Sequence, residues 1–345
     1  MDKVNSKFKS YSNIYKPLSP WSNPIDPFIK FQRKDLEKLL FELGWIDPKA
    51  WLAHWLKRDG VNLASYAWHP NARSDWIWGL GLPLLSDIER YLTKEEVPVL
   101  FGISGLPGCG KTSFGKWLEA AAIELNWPLN VISMDDFYLP SNQLDKAMSG
   151  NPWKVPRALP GSHSIQLMEK TIDTWKATGH LNSPQFDKAL RNGLGDRCGW
   201  RNSHPKILII EGWFLGCSPT DKNCRDVSTE DDLSEPLTSS EYEYRQVIQD
   251  SLKSYQSIWK KFKRIWHIKA SKFNSTSTWK TEQEMNMQRQ RGASLKGDSL
   301  NKFIRMIQTA IPQSSLQLID ADVVATINTD REIKFIGRKG NHKLY

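Results

Sequence analysis

Long apolar runs are missing from this 345-residue chain, and so is any patterned use of cysteine. No stretch approaches the roughly 20 apolar residues that cross a bilayer, so no membrane partner is expected. From Met1 to Pro20 there are lysines, serines and aromatics but no apolar core of a secretory signal. Asp2 and the lack of arginine there argue against an organelle-targeting segment. The cytoplasm is the expected compartment. Cys109, Cys198, Cys217 and Cys224 show no C-x-x-C spacing, so neither a zinc nor a disulfide framework is expected. There is no internal repeat and no low-complexity tract. A formal charge of +9 raises nucleic acid as a partner. The basic cluster Lys260, Lys261, Lys263, Arg264 is short, however, and it follows an acidic stretch. The favoured reading is cationic sites for small anions and an otherwise solvated surface, not a nucleic-acid face.

Gly105-Leu106-Pro107-Gly108-Cys109-Gly110-Lys111-Thr112 fits G-x-x-x-x-G-K-[ST] at every required position. Such a match arises by chance in roughly one chain in a hundred of this length. The context adds weight, because residues 97–103 read as a buried strand and residues 111–122 as a helix. Glycines let successive backbone N–H groups curl around a polyphosphate, and the helix N-terminus from Lys111 through Ser113 adds its own donors. Lys111 is expected to reach the β- and γ-phosphates, and the Thr112 hydroxyl to ligate Mg²⁺. Cys109 lies inside the loop, where nearby donors favour a thiolate and hence oxidation.

Residues 1 to 30, with four prolines, read as an arm without regular structure. A helix then buries Leu36, Leu39 and Leu40 and stops at Gly44. Asp47-Pro48 caps a second helix with Trp51, Leu52, Trp55 and Leu56 on one face. The tryptophans from Trp45 to Trp78 read as core, not as a base-stacking platform. Residues 1–95 are thus an arm plus a helical extension, and 96–345 a catalytic domain. From Val97 the order strand, loop, helix, strand predicts an α/β fold, a mainly parallel sheet flanked by helices. Strands are expected over 129–133, 206–210 and 264–268, with a Pro- and Gly-rich loop over 139–161. Residues 220–243 hold eight acidic residues and read as a surface loop, with a helix over 244–263. A polar helix over 278–292 and a closing β-hairpin over 323–336 complete the chain.

Two acidic positions sharpen the chemistry. Phosphoryl transfer to an alcohol needs a divalent metal on the phosphates and a carboxylate beside the acceptor hydroxyl. Glu211 ends an aliphatic strand, where a carboxylate can hold Mg²⁺ directly or through water. Asp135 and Asp136 follow another strand end. Alternation along a strand aims only one of them at the γ-phosphate; Asp135 is taken as base, Asp136 as a supporting or substrate residue, and the reverse stays open. Arg157 and His163 flank a helix N-terminus suited to a carboxylate or phosphate. Asp187, Lys188 and Arg191 add a second charged segment. Lys280 and Arg289 sit on the polar helix, which suits a lid that closes over phosphates and excludes water.

Asp135-Asp136-Phe137-Tyr138, the phosphate loop and Glu211-Gly212-Trp213 together resemble the phosphoribulokinase, uridine kinase and pantothenate kinase group of P-loop kinases. Pro160-Gly161-Ser162-His163, Phe186-Asp187-Lys188, Gly195-Asp196-Arg197 and Trp279-Lys280-x-x-Gln283-Glu284 narrow the resemblance to D-glycerate 3-kinase of the plant and cyanobacterial type, over residues 97 to 337. The resemblance implies ATP- and Mg²⁺-dependent phosphorylation of D-glycerate to 3-phosphoglycerate, closing photorespiratory glycolate salvage, with Asp135 matching the base, Glu211 the acidic strand-end residue and Lys111 with Thr112 the nucleotide loop. On their own chemistry, Asp136, Tyr138, Arg157, His163, Asp187, Lys188 and Arg191 are the candidate substrate residues. Ser164, Phe186 and Lys280 depart from the family pattern, and lysine lacks arginine's bidentate fork. A kinase for a pantothenate-, uridine- or ribulose-phosphate-like alcohol, and an ATPase with a protein or nucleic-acid partner, remain the alternatives.

Overall fold

Before the first strand, a run of helices buries an apolar face that includes several tryptophans. These helices open a computed structural model that describes residues 34–60, 62–68, 73–220, 233–292 and 294–338; the expected N-terminal arm and Cys224 lie outside the described residues. Helix α1 (Lys34–Glu42) buries Leu36, Leu39 and Leu40, and the chain leaves it through Gly44 at φ +94°. Helix α2 (Pro48–Lys57) is capped by Asp47, whose carboxylate accepts from Lys49 N. Trp51 and Trp55 set its inner face, one turn apart. Leu52 and Leu56 each lie about 100° further round; Leu52 is therefore half-buried, and Leu56, expected inside, is 48% exposed. Both indole N–H groups donate to Ser86 Oγ, at 2.8 and 2.9 Å. A π-helical turn, Ile77–Gly81, runs into α3 (Leu82–Thr93).

Strand β1 (Val99–Gly105) is buried throughout and leads through the phosphate loop into α4 (Lys111–Glu124) and then β2 (Leu129–Ser133). The loop expected over 139–161 contains a helix, α5 (Ser141–Ala147); α6 (Ile165–Thr178) follows. Next comes an antiparallel pair that the sequence reading missed, β3 (Leu181–Asp187) and β4 (Asp196–Ser203). Strand β5 (Ile207–Gly212) returns to the main sheet as a continuous aliphatic run, as a strand covered on both faces must. Helix α7 (Ser239–Trp259) begins five residues before its expected start, because Thr238 and Glu241 form a capping box out of the stretch read as acidic loop. Then come β6 (Arg264–Ala270), α8 (Ser275–Arg291), α9 (Gly297–Thr309), α10 (Gln313–Gln317), β7 (Val323–Ile327) and β8 (Ile333–Gly337).

The main sheet runs β2-β5-β1-β6-β7-β8. All neighbours are parallel except β7 and β8, the expected hairpin. Glu211 is in register with Ile103 of β1 on one side and with Ser133 of β2 on the other. The ends of three parallel strands therefore deliver the phosphate loop, Glu211 and Asp135 to one edge, where open α/β sheets bind ligands.

The N-terminal helices and the sheet share one hydrophobic cluster. Asp87 of α3, fully buried, accepts from Arg264 Nε at 2.9 Å and from Trp266 Nε1 at 3.0 Å on β6. Arg264, counted in a basic surface cluster by sequence, is thus a buried partner of Asp87 and Asp322. Trp117 of α4 donates to Leu63 O at 2.9 Å. Asp75 and Asp35 accept the backbone N–H groups of Ile333 and Ile336 on β8. No described helix is long and apolar enough to cross a membrane.

Candidate active site

Gly108 (φ +78°) and Gly110 (φ +111°) give the phosphate loop its left-handed turns. A Cβ on Gly108 would also meet the Trp279 backbone at 2.7 Å, so α8 packs directly on the loop. Lys111 Nζ donates to Gly105 O at 2.6 Å and Leu106 O at 3.1 Å. This holds its ammonium within the loop, beneath the place a polyphosphate would occupy. Thr112 Oγ1 donates to Glu211 Oε1 at 3.0 Å, and Glu211 is buried. Pro107, Gly108, Cys109, Gly110, Lys111, Thr112 and Ser113 line a cleft of about 1170 Å³, while the Gly105 and Leu106 positions do not. The Cys109 side chain is fully buried. The oxidation expected there lacks solvent access.

After Ser133 the chain forms a 3₁₀ turn, Met134–Phe137, so strand alternation does not decide where the two carboxylates point. Asp136 turns back. Its oxygens accept from Ser133 N and Phe186 N, both at 3.2 Å, tying β2 to β3. It does not line the cleft, and the substrate role expected of it gives way to a structural one. Burial, with the nearby Asp135 charge, pushes its carboxyl up to about 6 against two backbone donors.

Asp135 faces the cleft. It accepts from Tyr138 Oη at 2.8 Å and from Lys188 Nζ at 2.6 Å. Burial would raise its carboxyl, but the Lys188 ammonium, and then His163, outweigh that and hold it well below the usual range. Burial would likewise lower Lys188, and the Asp135 charge raises it instead. Tyr138 is pushed well up by burial and then by Asp135.

His163 lies behind this pair and does not line the cleft, which corrects its expected contact with substrate. Its ring stacks on Tyr138, centroids 4.4 Å apart. Tyr255 Oη accepts from Gly161 N at 3.0 Å and lies 2.8 Å from His163 Nδ1. That network assigns the ring proton to Nε2, which faces Asp135 Oδ1 at 3.9 Å. Burial lowers the imidazole, keeping it neutral.

Among the expected cations, Arg157, Lys188 and Lys280 line the cleft. Arg157 is braced by two carbonyls, Gly193 O at 2.6 Å and Leu194 O at 3.0 Å. Lys280 donates to Glu284 Oε1 at 2.5 Å and sits 4.5 Å over the Phe303 ring. Arg191 pairs with Asp145, Asp187 accepts from Ala189 N at 2.8 Å, and neither they nor Arg289 reach the cleft wall. One contact went unread in the sequence. Arg331, in the turn between β7 and β8, donates from Nε and Nη2 to Gly108 O at 3.2 and 3.0 Å, pairs with Glu282 at 2.8 Å and covers Trp279. Its backbone is left-handed, φ +59°. The available signal was direction: β7 runs parallel to β1, so the turn that follows it emerges at the same edge.

A phosphate loop on a parallel-sheet edge, with a carboxylate on the next strand end and a second carboxylate across the cleft, is the arrangement of a P-loop kinase. The chain is 26% identical over 241 residues to an uncharacterised kinase of Schizosaccharomyces pombe, mug58, covering 67% of this chain and 84% of that one. It is 25% identical over 230 residues to chloroplastic D-glycerate 3-kinase of Arabidopsis thaliana, covering 62% of this chain and 47% of that protein, so it spans about half that relative's length. The structure of D-glycerate 3-kinase from Cryptococcus neoformans var. grubii matches with a TM-score of 0.62 at 23% identity, covering 74% of this chain and 96% of that one, a likeness of fold. No family model matches the chain. Kinases, D-glycerate 3-kinase among them, are homologues of the chain, and together with the fold they support an ATP-dependent small-molecule kinase.

Proposed function

We propose that this kinase transfers the γ-phosphoryl group of ATP to a hydroxyl of D-glycerate, giving 3-phosphoglycerate. The observation that carries the reading is Asp135, an ionised carboxylate facing the phosphate loop across a cleft walled by Arg157, Lys188 and Lys280. A small anionic alcohol fits that arrangement: its carboxylate meets the cations and its hydroxyl meets Asp135. The Arabidopsis homologue bears the name of that activity.

The residues present fit Mg²⁺. Thr112 Oγ1 and Glu211 Oε1 converge within 3.0 Å as hard oxygen donors. No cluster of three or more acidic, His or Cys side chains able to hold a metal occurs among the described residues. Mg²⁺ takes one or two protein ligands in such sites and fills its shell with phosphate oxygens and water. When bound, Mg²⁺ neutralises charge on the β- and γ-oxygens. Lys111 exchanges its two loop carbonyls for phosphate oxygens. Asp135, held low by Lys188, is a weak base; its work is to orient the hydroxyl and accept the proton late, as the bond to phosphorus forms. Lys188 and Arg157 hold the acceptor's carboxylate, and α8 shields the transfer from water.

The test is an ADP-release assay with D-glycerate, L-glycerate, pantothenate, uridine and ribulose 5-phosphate. D-glycerate should give the highest kcat/KM by at least tenfold. A D-glycerate rate equal to the water background would remove this reading, and a preference for uridine or pantothenate would replace it.

A further inference from the structure

The cleft does not end at the phosphate loop. Beyond Ser113 it continues between the segment that precedes β1 and the β7–β8 turn, lined there by Ala67, Trp68, Arg73, Trp76, Lys116 and the pair Asp330-Arg331. We infer that this end binds the base and ribose of the nucleoside triphosphate, so that the helical extension before β1 is part of the nucleotide site. The inference rests on the kinase reading above and adds the part of the nucleotide that the phosphate loop does not hold.

Direction fixes the placement. The transferred phosphoryl group must face Asp135 and Glu211, on one side of the loop. The α-phosphate then lies over the first turn of α4, at Thr112 and Ser113, and the nucleoside leaves on the opposite side. Ser113 and Lys116 are three residues apart on that helix, hence on one face, and both line the cleft. The walls met there are aromatic and polar together. Trp76 is fixed in place: its indole donates to Arg331 O at 2.6 Å, its ring meets Phe114 edge-on at 5.7 Å, and a Cβ on Gly110 would touch it at 3.2 Å. Trp68 packs edge-on against Trp117 at 5.2 Å, and the loop that carries it is pinned to α4 by the Trp117–Leu63 hydrogen bond. Every base presents a π-face to such rings. Arg73 is exposed at the cleft wall, pairs with Asp75 at 3.4 Å and offers a guanidinium to a ribose hydroxyl or phosphate. Arg331 ties this end to the other: it holds Gly108 O and lies in the turn that forms the far wall. Its left-handed backbone is the strained geometry that functional loops retain. The tryptophans of the extension thus divide into two sets. Trp51 and Trp55 lie wholly in the core, whereas Trp68, half-buried, and Trp76, buried but for one edge, border the cleft.

The test compares ATP with inorganic tripolyphosphate by calorimetric titration of the full chain in Mg²⁺. The wild type should bind ATP at least tenfold tighter than tripolyphosphate. Trp68→Ala should weaken ATP about tenfold and leave tripolyphosphate within twofold, while Trp68→Phe keeps most of the ATP affinity. Arg73→Ala, at an exposed side chain, should weaken ATP three- to tenfold and guards against misfolding of the tryptophan variant. Equal ATP affinity in wild type, Trp68→Ala and Arg73→Ala would overturn the assignment, as would equal losses for ATP and tripolyphosphate. A wild-type chain that binds tripolyphosphate but gains nothing from the nucleoside would overturn it while sparing the phosphate site. A wild type that binds neither would remove the kinase reading itself.

Discussion

Thr112 Oγ1 donates to Glu211 Oε1 at 3.0 Å, joining the start of α4 to the end of β5 across 99 residues of chain. A hydroxyl and a carboxylate brought together in this way are the protein's share of a magnesium shell. Glu211→Gln keeps the hydrogen bond and removes the charge. The Mg²⁺ concentration for half-maximal rate should rise at least tenfold, while metal-free nucleotide binding stays within threefold. Titrating magnesium into the ADP-release assay and into a calorimeter checks both.

Asp135→Asn should cut kcat by 10²–10⁴, the range for removal of a positioned proton acceptor, with the ATP dissociation constant within threefold. Loss of ATP binding with turnover spared would show that the carboxylate serves the nucleotide and not the acceptor.

Asp136 carries a pH signature of its own. Its carboxyl is pushed from 3.8 to about 6, so the folded chain holds this proton more tightly than the unfolded chain does. The stability it contributes is full below pH 3.8 and is lost as pH rises through about 6. A shift of that size corresponds to about 3 kcal/mol. Asp136→Asn, which cannot ionise, should therefore gain on the wild type by that order as pH goes from 4 to 7. Denaturant unfolding at a series of pH values checks it; a difference that stays flat would contradict the raised carboxyl.

The phosphate loop, Glu211 and Asp135 were legible because each is local: a motif or a carboxylate ending an aliphatic run reports on its own backbone. Strands β1, β2, β5 and β6 were legible for the same reason. The β3–β4 pair was not. It contains Pro184, has no aliphatic run, and is defined by pairing such as Leu181 with Ser203. Asp136 was misdirected because a 3₁₀ turn replaced the strand geometry assumed for it. Arg331 was invisible because its partner, Gly108, lies 223 residues away. His163 had the right neighbourhood but the wrong depth; its partner Tyr255 comes from α7, far along the chain.

Asp87→Ala should be the most destabilising of these changes. It leaves the Arg264 guanidinium and the Trp266 indole buried without their shared acceptor. Orphaning one member of a buried pair costs about 3–5 kcal/mol. The denaturant midpoint should fall accordingly, with the dependence on denaturant unchanged. Asp87→Leu combined with Arg264→Met should recover part of the loss: it removes the buried guanidinium, while the Trp266 indole N–H still lacks an acceptor and the partly exposed Asp322 loses its cation.

Asp35 accepts from Ile336 N, and Asp75 from Ile333 N, so the first described helix is clasped by the last strand. During synthesis those partners are 301 residues apart. At about 5–20 residues per second, the ribosome takes roughly 15–60 s to cover that distance. Throughout that interval Leu36, Leu39 and Leu40 have no β8 to lie against. The emerging chain must keep an apolar helix waiting until β8 has been made.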